Sequence, residues 1–553
     1  MQQAIRKPYI LFFVFWLLLF VLYLPTAQAG FVADFTGWLN EINTQSFWVY
    51  INRSNFVVNS LYQFTQFTTY IIYRVIGANA WAWHIVHISL QALNAYLWFL
   101  LCYRIFTDSG IKNAKAIALA GVLLFCVSPY LTEVIVWEPS FHYLQGFLLI
   151  LVILLQVQKF HYAPKIKYAI AAGILFLLST YSLEIFYLTP VFTITLALYY
   201  RFALDYNKVV FKKILTLFFL PQLLLFLAHL GVYHLVYGEW LPHLKDQAMR
   251  HSWAYYLSKP AKYIFQVVLL GRYFPQNLKF KIYDIFESKK AIILVVSLVA
   301  LVLGFIVLRF QKFNVRSKAA TLIFIWILPV LFIMGPLWFP LVQPYVFCDR
   351  YVYVLSAFVY MLGCALLSYI TNRYVFWFLV SAYGLFNIYF TIQTNNYWKE
   401  SASIIHNLLH EIPATDKTVI LLNTPENLQG VPMMDATPGG EYKLMHNEFV
   451  CEKITAPVYD AMAFNMNNAN DGARVTVLND STIGVTLNQW GTWWWYNAQG
   501  GISYKNNDYS INVIAGHYYE LTLKKPASSY MIFYMARGHW HQVNWNLKTS
   551  TQY

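Results

Sequence analysis

The hydrophobic and polar positions separate this chain into two regimes. Up to about residue 394, long apolar runs alternate with short polar loops. The runs fall near 9–25, 87–106, 115–137, 143–159, 168–181, 185–200, 214–237, 290–309, 319–338, 351–371 and 374–393. Most approach the roughly 20 residues that a helix needs to cross a bilayer. Beyond residue 394 the pattern changes. "NNYWKESASIIHNLLHEIP" (395–413) reads as an amphipathic helix. After it come short alternating runs such as "KTVILLN", "ARVTVLN", "TIGVTLN", "YSINVIAG" and "YYELTLKK", separated by Asn, Asp and Gly turns. The predicted fold is a polytopic α-helical membrane protein of about eleven helices with a C-terminal, mainly β domain. The expected division is a membrane domain over 1–395, a connecting helix over 396–413 and a β domain over 414–553.

Basic residues give the expected topology. Arg6 and Lys7 precede the first run. Arg104, Lys112 and Lys115 follow the second, Lys159, Lys165 and Lys167 the fourth, and Arg201, Lys208, Lys212 and Lys213 the sixth. Arg309, Lys312, Arg316 and Lys318 follow the eighth, and Arg373 the tenth. These alternate loops belong on one side, the cytoplasm. Residues 168–200 carry basic clusters at both ends, so they are expected to form a hairpin that turns near "STYSLEIFYLTP". The stretch Tyr9–Tyr23 suits a first helix; Ala27 and Ala29 also fit a signal-cleavage pattern.

Composition agrees. The chain is 59% hydrophobic and 12% charged, with a formal net charge of +14. An average soluble domain is about 25% charged. The basic excess fits loop topology and anionic lipid, not nucleic acid. Of the five cysteines, Cys102, Cys126 and Cys364 lie in apolar runs and are expected as core residues. Cys348 and Cys451 are a candidate disulfide pair. No zinc spacing occurs, and no metal or other cofactor is expected, although a divalent ion is compatible with the chemistry below.

The same topology collects unusual polar residues on the outer face. These are Asp34 and Glu41 in "GFVADFTGWLNEINTQSF", Glu133, Glu138 and His142 in "YLTEVIVWEPSFHY", and Glu184 in the hairpin. The loop 238–289 adds Lys245, Arg272 and Lys279, and the last outer turn adds Asp349 and Arg350, followed by Tyr351. Each has a structural alternative. Asp34 suits an N-cap, Glu133 and Glu184 suit helix ends, and Asp349 with Arg350 suits an internal ion pair. His539 and His541 share a strand face but lack a third metal ligand, and "WGTWWWY" (490–496) suits a β-domain core.

Several stretches together resemble the transmembrane O-mannosyltransferases with tetratricopeptide repeats and their bacterial relatives. "SPYLTEVIVWEPSFHYLQGFLL" is similar to a family segment at Thr132, Glu133 and Trp137, with "PSFHY" in place of the family's Gly-Arg-Ala-Asp core. "LLSTYSLEIFYLTP" matches at Ser182, Glu184 and Pro190, with Leu183 replacing a lysine. "FCDRYVYVLSAF" carries Asp349 for a family Glu and keeps Arg350, Tyr351, Tyr353 and Ser356. "NNYWKESASIIHNLLHEIP" resembles the segment that ends the family's membrane part. The resemblance covers most of residues 1–413, and a β domain stands where the repeats would be. It implies a GT-C glycosyltransferase that uses a polyprenyl-phosphate sugar on the outer leaflet. It implies Asp34 as the base, with Glu41 in reserve. The cation expected on the donor phosphate is Arg350, assisted by Lys279, Arg272 or Lys245. Asp349 is expected to hold Arg350. Glu133, Glu138, His142, Glu184 and Tyr351 are expected to support the site or bind sugar, and the aromatic segments 63–83 and 264–274 to line a prenyl groove. The expected partners are membrane lipid, the polyprenyl-phosphate donor and a protein, lipid or glycan acceptor. The expected location is a bacterial inner membrane, N-terminus inside and β domain in the periplasm. Two other classes remain open at this point: a surface-polysaccharide ligase or polymerase, and a non-catalytic transporter or scaffold.

Overall fold

The computed structural model describes residues 8–27, 29, 32, 35–53, 61–240, 253–309, 312–337, 349–370, 372–434, 441–450, 453–487, 494–495, 498–499, 503–546 and 551–552. The chain forms two compact units. The first holds 1–24, 51–344 and 348–393; the second holds 25–50, 345–347 and 394–553.

The first unit is a helical bundle. Its main helices are α1 (Pro8–Tyr23), α4 (Gln63–Ile76), α5 (Ala80–Asp108), α6 (Ala114–Cys126), α7 (Thr132–Val136), α8 (Phe141–Tyr162), α9 (Ile166–Thr180) and α10 (Thr189–Ala203). Then come α11 (Lys208–Ile214), α12 (Leu220–Tyr237), α13 (Trp253–Leu269), α14 (Gln276–Glu287), α15 (Lys289–Arg309), α16 (Val315–Leu337) and α17 (Asp349–Leu367). The long helix α18 (Arg373–Glu411) begins here and ends in the second unit. Short helices α2 (Phe35–Thr44) and α3 (Phe47–Arg53) lie between α1 and α4 in the chain.

All eleven apolar runs are helical, yet fewer than eleven qualify as simple spans. Among the described residues, eight helices are long and apolar enough to cross a membrane. A ninth span arises if α6 and the segment Pro129–Val136, bent by 57° from each other, count as one. The runs at 168–181 and 319–338 give shorter apolar helices, Ile166–Thr180 and Ser317–Leu331. The break in the third run has a local cause. Ser128 stops α6, its Oγ accepts from the Tyr130 amide at 3.3 Å, and Pro129 cannot supply the amide that would continue the helix. The expected turn within 168–200 is present: α9 leads into a short 3-10 turn, Glu184–Leu188, and then α10.

Buried aromatic rings fill the middle of the bundle. Trp98 meets Phe358 edge-on at 4.9 Å, and Trp326 lies 5.8 Å from the same ring. A polar node lies among them. Tyr353 Oη donates to Gln91 Oε1 at 2.6 Å and accepts from Asn94 Nδ2, which also donates to the Leu144 carbonyl at 2.9 Å. This ties α5, α8 and α17 one turn below Asp349 and Arg350. Cys102, Cys126 and Cys364 are buried and free, as expected of core thiols. Cys348 and Cys451 lie outside the described residues.

The second unit is mainly β, as the alternating runs predict, but its pairing is mixed. β1 (Thr418–Leu421) lies parallel to both β13 (Tyr530–Ala536) and β4 (Val458–Asp460), and β14 (His539–Gln542) closes that sheet antiparallel to β13. The larger sheet is antiparallel, in the order β10 (Tyr504–Lys505), β11 (Tyr509–Ala515), β12 (Tyr518–Leu523), β7 (Thr482–Thr486), β6 (Arg474–Val477) and β15 (Thr551–Gln552). A helix, α19 (Glu441–Phe449), sits against the end of α18: Tyr442 Oη donates to the Leu408 carbonyl at 2.8 Å. Glu411, near the end of α18, accepts from the Trp540 amide at 2.6 Å and meets His539 Nδ1 at 2.5 Å. His539 thus serves a clamp between helix and strand, and His541 bonds the Ala536 carbonyl at 3.2 Å.

One glycine is indispensable to the approach of α8 to the turn that carries Glu184. A Cβ on Gly146 would stand 1.7 Å from the Phe186 ring. Gly173, in α9, has nothing within 4 Å of its Cβ position. Gly146→Ala is therefore expected to cost about 1–3 kcal/mol, whereas Gly173→Ala is expected to be neutral or slightly stabilising. Thermal unfolding of the two variants in one detergent checks this; equal melting temperatures would contradict the packing.

Candidate active site

The site begins with a helix end. An α-helix leaves its first backbone N–H groups without partners. At α17 the Arg350 amide finds one in Glu133, whose Oε2 accepts it at 2.9 Å. The other oxygen of the same carboxylate takes the Arg350 guanidinium. Glu133 comes from α7, 217 positions earlier in the chain. One buried side chain therefore caps α17 and fixes its second residue. The guanidinium lies over two ring faces, Trp137 at 4.8 Å and Tyr351 at 4.7 Å.

Asp349 occupies the first position of α17, where the helix dipole favours an acid. Its partner is Arg272, from the 3-10 turn Gly271–Tyr273. Both side chains are almost out of solvent, at 2% and 6% exposure for Arg272 and Asp349. Lys279, in α14, donates to the Arg272 carbonyl at 2.8 Å. Burial, and then the neighbouring Arg272 charge, push the Lys279 ammonium down to about 8.

These contacts correct one sequence expectation. The carboxylate that closes on Arg350 is Glu133, and the guanidinium that closes on Asp349 is Arg272. Adjacent residues on a helix point about 100° apart, so Asp349 and Arg350 reach different neighbours. Across the group, three cations (Arg272, Lys279, Arg350) meet two carboxylates (Glu133, Asp349).

Beside this group lies a cluster of rings. His142 stacks near Tyr143 at 4.6 Å and faces Tyr62 at 5.8 Å, while Tyr143 lies 6.4 Å from Tyr351. Tyr62 Oη donates to Glu184 Oε2 at 2.6 Å. Burial, and then the Glu184 charge, raise the Tyr62 phenol well above its ordinary value, so it stays a donor. Glu138 is buried, and its Oε2 has no hydrogen-bond partner among the described residues; the same holds for His142 Nδ1.

The structure thus brings Arg272, Lys279, Arg350, Asp349, Glu133, Glu184, His142 and Tyr351 into one unit and into linked contacts. Glu41, in α2, belongs to the other unit, where it neighbours Tyr50 and, after burial, helps raise that phenol. Asp34 and Lys245 lie outside the described residues, as does most of 490–496. Among the described residues no three His, Cys, Asp or Glu side chains group as metal ligands. Sequence reasoning missed Tyr62 and Tyr143. Tyr143 lies inside the "PSFHY" replacement, and that departure from the family segment was the available signal.

No protein-family model matches the chain, and no curated protein matches it. Among solved structures it is similar to ArnT from Cupriavidus metallidurans bound to undecaprenyl phosphate. That likeness has a TM-score of 0.44 at 11% identity, over 82% of this chain and 92% of that one. It is also similar to the archaeal oligosaccharyltransferase AglB from Archaeoglobus fulgidus in complex with an inhibitory peptide and a dolichol-phosphate. There the TM-score is 0.37 at 12% identity, over 74% of this chain and 62% of that one. TM-scores under 0.5 at such identities decide neither fold nor activity.

The buried pair gives a direct test. Asp349→Asn strands the Arg272 charge and is expected to cost about 3–5 kcal/mol, while Arg272→Met with Asp349→Leu is expected to recover most of that loss. Thermal unfolding of the purified variants reads both; an Asp349→Asn protein as stable as wild type would contradict the pairing.

Proposed function

We propose that this chain is a multi-pass membrane glycosyltransferase of the GT-C type, taking a sugar from a polyprenyl-phosphate donor. The observation that carries the reading is the convergence of three cations at the start of α17, where Arg272, Lys279 and Arg350 lie together and Asp349 and Glu133 hold the two guanidiniums in position. Such a cluster suits a phosphate group, because a guanidinium matches phosphate oxygens with two parallel hydrogen bonds.

In the proposed reaction an acceptor hydroxyl attacks the anomeric carbon. The bond from that carbon to the phosphate oxygen breaks, and its electron pair leaves with the phosphate. Arg350 stabilises that charge, with Arg272 and Lys279 supplying the surrounding field. The hydroxyl proton passes to a carboxylate base. Asp34 is assigned that role from its sequence context, with Glu41 in reserve. Glu133 holds Arg350 in place; Glu184, Tyr62 and His142 offer hydrogen bonds and ring faces to a sugar, and Glu138 supports them. Because the leaving group is already an anion, the proposed step needs no metal. The alternating basic loops support a cytoplasmic N-terminus and a site on the opposite, outer side, which we assign to the periplasmic face of a bacterial inner membrane.

Two tests follow. Purified protein in lipid is supplied with a labelled monosaccharide on polyprenyl phosphate, and transfer or release of the sugar is counted. Asp34→Asn is expected to lower it at least a hundredfold with folded protein retained; full activity in that variant would remove Asp34 as the base. Donor affinity should also depend on pH. Lys279 is charged below about 8 and neutral above it, so affinity is expected to fall as pH rises through that value. Lys279→Met should flatten the fall; an unchanged profile in that variant would exclude the lysine from donor binding.

A further inference from the structure

The second unit contains a cleft that the transferase reading does not use. It has a volume of about 360 Å³ and is lined by Asn470, Asp471, Arg474, Thr486 and Arg537, among others. That is large enough for a sugar ring or two, within the roughly 300–1,000 Å³ of small-ligand sites.

The cleft lies at the seam of two sheets. Arg474 opens β6 and stands opposite Thr486 of β7 in the register. The opposite wall is the β13–β14 hairpin. An isolated bridge between Gly472 and Ala536 joins the sheets at this point. The approach is so close that a Cβ on Gly472 would stand 2.4 Å from the Ala536 Cα. The loop before it is held by Asp471, whose Oδ2 accepts from the Asn467 amide at 2.6 Å and the Asn468 amide at 3.2 Å. Its Oδ1 accepts from Asn468 Nδ2 at 3.2 Å. The one acid of the cleft is thus turned into its own loop.

The hairpin wall is unusual. Its two-residue turn is Arg537–Gly538, with φ of 55° and 78°. Two consecutive positive φ values mark the turn type that favours Asn-Gly or Gly-Gly. An arginine is a poor choice there on backbone grounds alone. Its side chain is exposed, lines the cleft, and has no hydrogen-bond or ion-pair partner among the described residues. A residue kept in a sparsely populated conformation at a cleft points to a use for its side chain.

We infer that this cleft binds an acidic saccharide, with Arg537 and Arg474 receiving its carboxylate or phosphate and Asn470 and Thr486 bonding its hydroxyls. The exposed Arg537 guanidinium, with Arg474 beside it and an acid already occupied by backbone amides, suits the cleft to an oxyanion. The side-chain amide and hydroxyl in the lining supply the donors and acceptors that a bare ion does not need. This inference stands apart from the transferase reading; it concerns only the second unit.

The test uses full-length protein in lipid nanodiscs, titrated calorimetrically with a galacturonic acid oligomer, a maltose oligomer of equal length and inorganic phosphate. The acidic oligomer is expected to bind at least tenfold more tightly than either of the others. Arg537→Asn removes the charge and suits the left-handed backbone better than arginine, so the fold is retained; paired with Arg474→Gln it is expected to weaken the acidic oligomer at least tenfold at an unchanged melting temperature. Equal binding of acidic and neutral oligomers, no binding of the acidic one, inorganic phosphate binding as tightly, or an unaffected double variant would each overturn the inference.

Discussion

Everything proposed for the membrane unit depends on how a helix can begin inside a bundle with two charges at its first turn. Water normally satisfies the free amides of a helix end, and a buried end needs another acceptor. Glu133 supplies it, accepting the Arg350 amide with one oxygen and the guanidinium with the other. Asp349 is held separately by Arg272. Each charge at the start of α17 therefore has its own partner from a distant part of the chain, and Lys279 adds a cation beside Arg272. Without these pairs, burying five ionisable groups at one place would oppose folding rather than support it.

The packing beneath serves the same end. The Tyr353, Gln91 and Asn94 node fixes α17 against α5 and α8 one turn below the charges. Phe186 fills the space that Gly146 leaves open and so sets the turn from which Glu184 meets Tyr62. Hydrogen bonds between helices in a membrane are individually modest, about 0.6 kcal/mol on average, so the node acts through position more than strength. Rings then cover the charges: Trp137 and Tyr351 lie against Arg350, and Tyr143 separates this group from His142 and Tyr62.

Much of this was legible in the sequence, within a limit that chain separation explains. Runs of about 20 apolar residues can only be helices in a bilayer, so each of the eleven is mainly helical among its described residues, the third in two pieces. The break at Ser128–Pro129 also had its signal, a proline in the middle of the run, though the run as a whole reads as one crossing. That Asp349 and Arg350 matter was visible from their cost at that place. Their partners were not, because Arg272 is 77 positions from Asp349 and Glu133 is 217 from Arg350. No local pattern encodes such a pairing. The same holds in the second unit: alternation announces strands, but the parallel placement of β1 between β13 and β4 depends on long connections. Nothing in the sequence grouped 25–50 with the C-terminal unit.

The central claim is that the group of cations at the start of α17 receives a phosphate. The most direct measurement is the affinity of the purified protein for a polyprenyl phosphate beside the same polyprenol without its phosphate, in one detergent near pH 7. The account expects the phosphate to add at least 1.4 kcal/mol, a tenfold preference or more, and expects Arg350→Ala to abolish that preference while leaving alcohol binding unchanged. Equal affinity for the two lipids, or a preference that survives Arg350→Ala, would contradict it.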